Sequence, residues 1–140
     1  MKNTKLRILG GIYQLTRLPK NSSIPQEIFE QDFYTISRTS NELSIIAPEE
    51  IHIDSEYSEK SWRIIQFVES MDLSLVGITA RITNILAREN INLCAIATYN
   101  TDYILIKNHQ IEIAIKALEN AGYLFVGTVI GRSQYGTASN

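Results

Sequence analysis

Two short segments of this 140-residue chain combine residue types able to hold a small zwitterion. The first is Ser74-Leu75-Val76-Gly77-Ile78, where a strand pattern gives way to a helix pattern. Ser74 can cap that helix, and Gly77 leaves the backbone open at its first turn. The first N–H groups of a helix have no partner inside it, so they attract an anion such as a carboxylate. The second segment is Asn100-Thr101-Asp102. Aspartate is a poor β-former, so an Asp opening a strand invites explanation. One explanation is turn chemistry, because Asn and Asp side chains hydrogen-bond their own backbone. The other is a carboxylate facing a ligand's ammonium group. Taken singly, each segment is better explained by capping or turn formation. Taken together they offer the two complementary charges that an α-amino acid requires. The two lie on different strands, so they are expected to face each other only across an interface between units.

The rest of the chain is poor in catalytic groups. His52 and His109 are far apart in sequence, and His109 reads as a solvated loop residue. Cys94, the single cysteine, falls in an apolar strand and reads as a small core residue without a redox role. One cysteine and two distant histidines give no usual zinc spacing, so no metal site is expected. A phosphate-binding loop and a nucleophile elbow are both missing, and no cofactor is expected. Gly10-Gly11 sits within a strand pattern and suggests a bulge.

Hydrophobic periodicity supplies the elements that position the two segments. Leu6 to Leu15 is apolar on both alternations and reads as one central strand. Phe33 to Ser37 and Leu43 to Ala47 are short strands joined by a hairpin at Arg38 to Glu42. The polar stretch His52 to Ser61 reads as a linker. Trp62 to Val68 is a strand, and Ile78, Ile82, Ile85 and Leu86 form one stripe of a helix. Strands follow at Ile91 to Tyr99 and Asp102 to Lys107. Asn108 is the expected cap of a second helix with stripe Ile111, Ala114, Ile115, Leu118 and Ala121, and Gly122 stands where a helix ends. Tyr123 to Ile130 is the last strand, and 131–140 a flexible tail.

The order β-α-β-β-α-β in 61–130 is the ferredoxin-like pattern, an antiparallel sheet with two helices on one face. Residues 1–60 read as a partial, strand-rich version of the same unit. Arg38 to Ile46 resembles Tyr99 to Ile106 with one residue inserted in the turn, an acidic residue opening the returning strand in both. Glu42 thereby becomes a candidate for a second site. The hairpin of 91–107 is apolar on both faces, so the face away from the helices needs a cover, either the first half of the chain or a second copy.

Trp62-Arg63, Gly77-Ile78 and the run from Ala95 to Lys107, with Thr98-Tyr99-Asn100-Thr101-Asp102-Tyr103-Ile104-Leu105-Ile106 at its centre, resemble the ACT domain family. Phe33 to Thr39 and Glu42 to Ile45 resemble the first unit of its two-unit subgroup, which includes small bacterial proteins and the cytosolic arginine sensors. The resemblance implies amino-acid binding at interfaces between ACT units, regulatory rather than catalytic work, and homo-oligomers, and the doubly apolar hairpin of 91–107 makes a homodimer joined through its sheets the expected form. It also implies that Ser74, Leu75, Val76, Gly77 and Ile78, with Asn100, Thr101 and Asp102, line the ligand site. Val76 stands where the family varies, so the ligand's side-chain preference is not fixed by analogy.

Composition agrees with this class. Hydrophobic residues make up 44% and charged residues 20%, an ordinary globular mixture. The net charge of −2 gives no electrostatic footprint for nucleic acid. No apolar run is long enough to span a membrane and no signal peptide is read, so the expected location is the cytoplasm. The expected protein is a non-catalytic α+β regulatory module for an amino acid, acting on an unidentified partner. The alternative is a ligand-free oligomerisation protein.

Overall fold

The computed structural model describes residues 4–68 and 77–127. The chain divides into two units, Gly11–Trp62 and a second made of Met1–Gly10 with Arg63–Asn140. The expected division at 1–60 and 61–130 therefore differs at the N-terminus, where the first ten residues go with the second unit.

The Gly11–Trp62 unit contains β2 (Tyr13–Leu18), β3 (Thr35–Arg38), β4 (Leu43–Pro48) and the first part of β5 (Tyr57–Phe67). Its strand order is β3-β4-β2-β5, and every pair is antiparallel. In chain order that is second, third, first, fourth, the ferredoxin-like arrangement. No α-helix is present among its described residues. A 3-10 turn, Gln26–Glu30, and the loop 49–56 cover the sheet instead. The core under them is Leu18, Ile28, Leu43, Ile45, Ala47, Ile51 and Ile53. A loop offers unpaired backbone groups where a helix would satisfy its own, and buried polar groups need partners. Gln14, 1% exposed, answers that need. Its Nε2 donates to Pro48 O at 3.1 Å and Ile51 O at 2.7 Å, and its Oε1 accepts from Thr16 Oγ1 at 2.6 Å. The expected linker His52 to Ser61 is shorter than its polarity suggested, since residues 57–61 are strand.

The second unit contains β1 (Lys5–Ile8), the remainder of β5, α1 (Ile78–Arg88), β6 (Leu93–Ala97), β7 (Asp102–Lys107), α2 (Ile111–Asn120) and β8 (Leu124–Phe125). The strand order is β6-β7-β5-β1-β8. β1 runs antiparallel to β5, with Leu6 opposite Phe67, and parallel to β8, with Leu6 opposite Phe125. It occupies the place beside β5 that the last strand of a plain βαββαβ unit would take. The long strand expected from Leu6 to Leu15 is thus two strands in two units. Gly11, with φ +92°, makes the break, a conformation that costs glycine little.

Both helices bury most of the expected stripes, Ile78, Ile82 and Leu86 from α1 and Ile111, Ala114, Ile115 and Leu118 from α2, whereas Ile85 is half-buried and Ala121, just past the end of α2, is exposed. These meet Leu6, Ile8, Ile65, Phe67, Ile104 and Ile106 of the sheet in one core. Leu105, on the opposite face of β7, is also fully buried. Asn108 does not cap α2. Residues Asn108–Gln110 form a 3-10 turn first, α2 has no side-chain cap, and Asn108 Oδ1 accepts from Arg63 Nη1 at 3.3 Å. Gly122 ends α2 with φ +101°, as its position predicts. Among the described residues no helix is long and apolar enough to cross a membrane.

Candidate functional site

Side chains alternate across a strand, so Asp102, Ile104 and Ile106 share one face of β7. Ile104 and Ile106 belong to the core with Ile82 and Leu86 of α1. Asp102 therefore faces the helix layer, one step beyond the core. There it meets the first turn of α1: Thr79 Oγ1 donates to Asp102 Oδ2 at 3.2 Å. This contact lies within one unit. The expectation that the carboxylate and the helix start could meet only across an interface between units is corrected. β7 and α1 contribute to the same core, and the bond to Thr79 places Asp102 beside the helix N-terminus. Across the hairpin, Ala97 lies opposite Asp102 and Ala95 opposite Ile104, both exposed. Two methyl side chains leave the carboxylate's outer flank open.

The helix begins at Ile78, with Gly77 as its N-cap at φ +93° and no side-chain cap. Ser74, the expected cap, lies outside the described residues, as do Leu75 and Val76. Gly77 is exposed, whereas the Ile78 side chain is 8% exposed and belongs to the core. Only the backbone of Ile78 is left for a ligand. A β-carbon at Gly77 would meet nothing within 4 Å. Gly77→Ala should therefore cost only the backbone term, about 1–2 kcal/mol for a left-handed non-glycine residue, read as a lower urea midpoint at unchanged m.

The other expected residues serve the hairpin. Thr101, 9% exposed, donates its hydroxyl to Phe67 O and fastens the start of β7 to the end of β5. Thr98 closes the turn: its N–H donates to Thr101 O at 2.8 Å and its hydroxyl to the same oxygen at 3.0 Å. Asn100 stands at the exposed tip beside Tyr99, which is 99% exposed.

Glu42 lies in the Gly11–Trp62 unit and is not the counterpart of Asp102. The turn at 39–42 closes with Thr39 N–H donating to Glu42 O at 2.9 Å, as Thr98 does to Thr101. The two hairpins thus superpose without an insertion: Thr39 on Thr98, Asn41 on Asn100, Ile45 on Ile104 and Glu42 on Thr101. A shift of one residue reverses the face. Glu42 instead lines a surface cavity of about 410 Å³ together with Arg17, Ser44, Tyr57 and Glu59. Thr79, Arg17 and Tyr57 had no local signal in the sequence, because each reaches its site through pairing of distant segments.

Cys94 is half-buried on β6 rather than enclosed in the core. Burial still pushes its thiol pKa up. The thiolate is the reactive form, so labelling of the native protein at neutral pH should be slower than that of free cysteine. The rate should rise only at more alkaline pH. Labelling as fast as free cysteine would show an accessible, unperturbed thiol.

These features define a ferredoxin-like α+β domain with a carboxylate set against a helix N-terminus. Residues 57–120 match the family model of the ACT domain. Residues 11–54 match a second family model, that of an N-terminal domain. Among curated proteins none matches the sequence. A crystal structure of a protein from Agrobacterium tumefaciens is similar over 90% of this chain and 94% of its own, with 27% identity and a TM-score of 0.81. A protein of unknown function from Vibrio cholerae is similar over 84% of this chain and 88% of its own, with 20% identity and a TM-score of 0.66. The ligand-free regulatory subunit of aspartate kinase from Thermus thermophilus is similar over 81% of this chain and 96% of its own, with 12% identity and a TM-score of 0.56. The last two likenesses establish a shared fold alone.

Proposed function

We propose that the chain is a non-catalytic regulatory module that binds an amino acid at the start of α1. The observation that carries this reading is the approach of Asp102 to the first turn of α1, bridged by the Thr79 hydroxyl. A carboxylate there suits an α-ammonium group, and free N–H groups of a helix N-terminus suit an α-carboxylate. The match to the ACT domain model supports the reading, and so does the fold shared with a kinase's regulatory subunit. A ligand-free oligomerisation protein is the second reading, favoured by the bond Asp102 already makes to Thr79, which can act as a simple fastening. Homodimer formation and a regulated partner protein fit either reading.

A thermal-shift screen against the twenty amino acids tests it. A ligand that binds only the native state raises stability by RT ln(1 + [L]/Kd), about 2.7 kcal/mol at a hundredfold excess over Kd. One amino acid, or a chemically related few, should raise Tm. No shift with any of them at millimolar concentration would leave the oligomerisation reading.

A further inference from the structure

Thr101 stands one residue before β7, and each of its polar groups is engaged. Its N–H donates to Thr98 Oγ1 at 3.3 Å. Its carbonyl accepts from the Thr98 N–H at 2.8 Å and from the Thr98 hydroxyl at 3.0 Å. Its own hydroxyl donates to Phe67 O at the end of β5. The residue that leads into Asp102 is therefore held both from the turn and from the neighbouring strand. The Asp102 side chain is held more loosely. Its carboxylate accepts from Thr79 Oγ1 at 3.2 Å, and the residue across the hairpin is the small, exposed Ala97. Where that carboxylate stands is set mainly by the backbone behind it.

The first hairpin is an internal control. Its turn closes with the same bonds, Thr39 N–H to Glu42 O at 2.9 Å and Glu42 N–H to Thr39 Oγ1 at 3.1 Å. The place of Thr101 is taken there by Glu42, which has no hydroxyl to give; its Oε1 accepts from Ser44 Oγ on its own strand at 3.5 Å. The place of Asp102 is taken by Leu43, which is 0% exposed. The turn thus closes without a strap to the next strand, and the strap occurs in the hairpin that carries the carboxylate. We propose that Thr101 is a positioning residue for the amino-acid site. Without touching the ligand, its hydroxyl ties the start of β7 to β5 and holds the Asp102 carboxylate where an α-ammonium group meets it. Charge-assisted hydrogen bonds are short, so their acceptor must be fixed by the residues behind it. This inference rests on the amino-acid reading of the Asp102 site. A hydroxyl that served only to satisfy the Phe67 carbonyl would add stability and leave the affinity of the folded protein unchanged.

Calorimetry of the full chain tests the proposal, with the amino acid that gives the largest thermal shift among the twenty as titrant. Thr101→Val keeps the side-chain shape and removes the hydroxyl. It should bind about threefold to tenfold more weakly, as the loss of one hydrogen bond behind the carboxylate allows. Thr101→Ser keeps the hydroxyl and should bind within about twofold of the wild type. On the Asp102→Asn background, Thr101→Val should cost no more than about a further twofold, because a residue that acts through the carboxylate has nothing left to position. Urea unfolding shows that each variant is folded when titrated. Should Thr101→Val fail to fold, Thr98→Ala at an exposed position removes a hydroxyl that holds Thr101. It should weaken binding about twofold to threefold, again only while Asp102 is present. Wild-type affinity in Thr101→Val, a loss that Thr101→Ser does not recover, or a loss repeated in full on Asp102→Asn overturns the proposal and leaves the amino-acid site standing. Binding of none of the twenty to the wild type overturns the amino-acid reading and this proposal with it.

Discussion

Asp102→Asn is expected to lose tenfold to hundredfold in amino-acid affinity while keeping its fold. The loss follows from the charge, since a hydrogen bond to a charged partner contributes about 1.5–3 kcal/mol. An amide cannot replace a carboxylate as the counter-charge of an ammonium group. The survival of the fold follows from the contact to α1: an Asn side-chain oxygen still accepts the Thr79 hydroxyl that Asp102 Oδ2 accepts at 3.2 Å. The companion change Thr79→Val keeps the carboxylate and removes only the donor. If Asp102 serves a ligand, Thr79→Val should lose less than about tenfold, because the carboxylate keeps its charge for the ammonium group and loses only a hydroxyl contact that it makes with or without ligand. Calorimetry with the amino acid selected by thermal shift, alongside urea unfolding of both variants, separates the cases. Equal affinity in wild type and Asp102→Asn would remove Asp102 from the site. A fold lost in both variants would make the Asp102–Thr79 pair a structural fastening.

The parts of this fold legible in the sequence are those fixed by local pattern. β7 appears at the expected residues because Tyr103 to Ile106 is a run of strong β-formers opened by a turn. α2 shows its stripe and its terminal glycine for the same reason. The losses are non-local. Nothing near Leu6 announces that β1 pairs with both β5 and β8, and its apolar alternation continues across Gly10 and Gly11 into β2. The candidate site was legible by half. Asp102 stood out as a misfit in a strand, but its partner Thr79 is an unremarkable helix residue until the start of β7 is known to lie beside the first turn of α1. Glu42 was placed one residue away from its true counterpart, which in a strand means the opposite face.

Ile104→Ala is expected to destabilise the protein by about 2–5 kcal/mol, the range for truncating a buried large aliphatic residue to Ala. Ile104 is 0% exposed and belongs to the core that the two helices and the sheet enclose. Helices that satisfy their own backbone have little freedom to collapse into the space left by the lost atoms, which puts the cost in the upper half of that range. Ile45 holds the equivalent place in the first hairpin and is also 0% exposed. Its cover is the 3-10 turn at Ile28 and the loop carrying Ile51 and Ile53. A loop relaxes into a void more readily than a helix, so Ile45→Ala should cost less than Ile104→Ala, near the lower end of the range. Ile113 supplies the control: on α2 but 52% exposed, it should change by no more than about 0.5 kcal/mol when replaced by Ala. Urea midpoints at constant m give all three values. If Ile45→Ala proves as costly as Ile104→Ala, the loop of residues 49–56 is as unyielding as a helix, and the Gln14 side chain that ties it to the sheet becomes the first place to look for the cause.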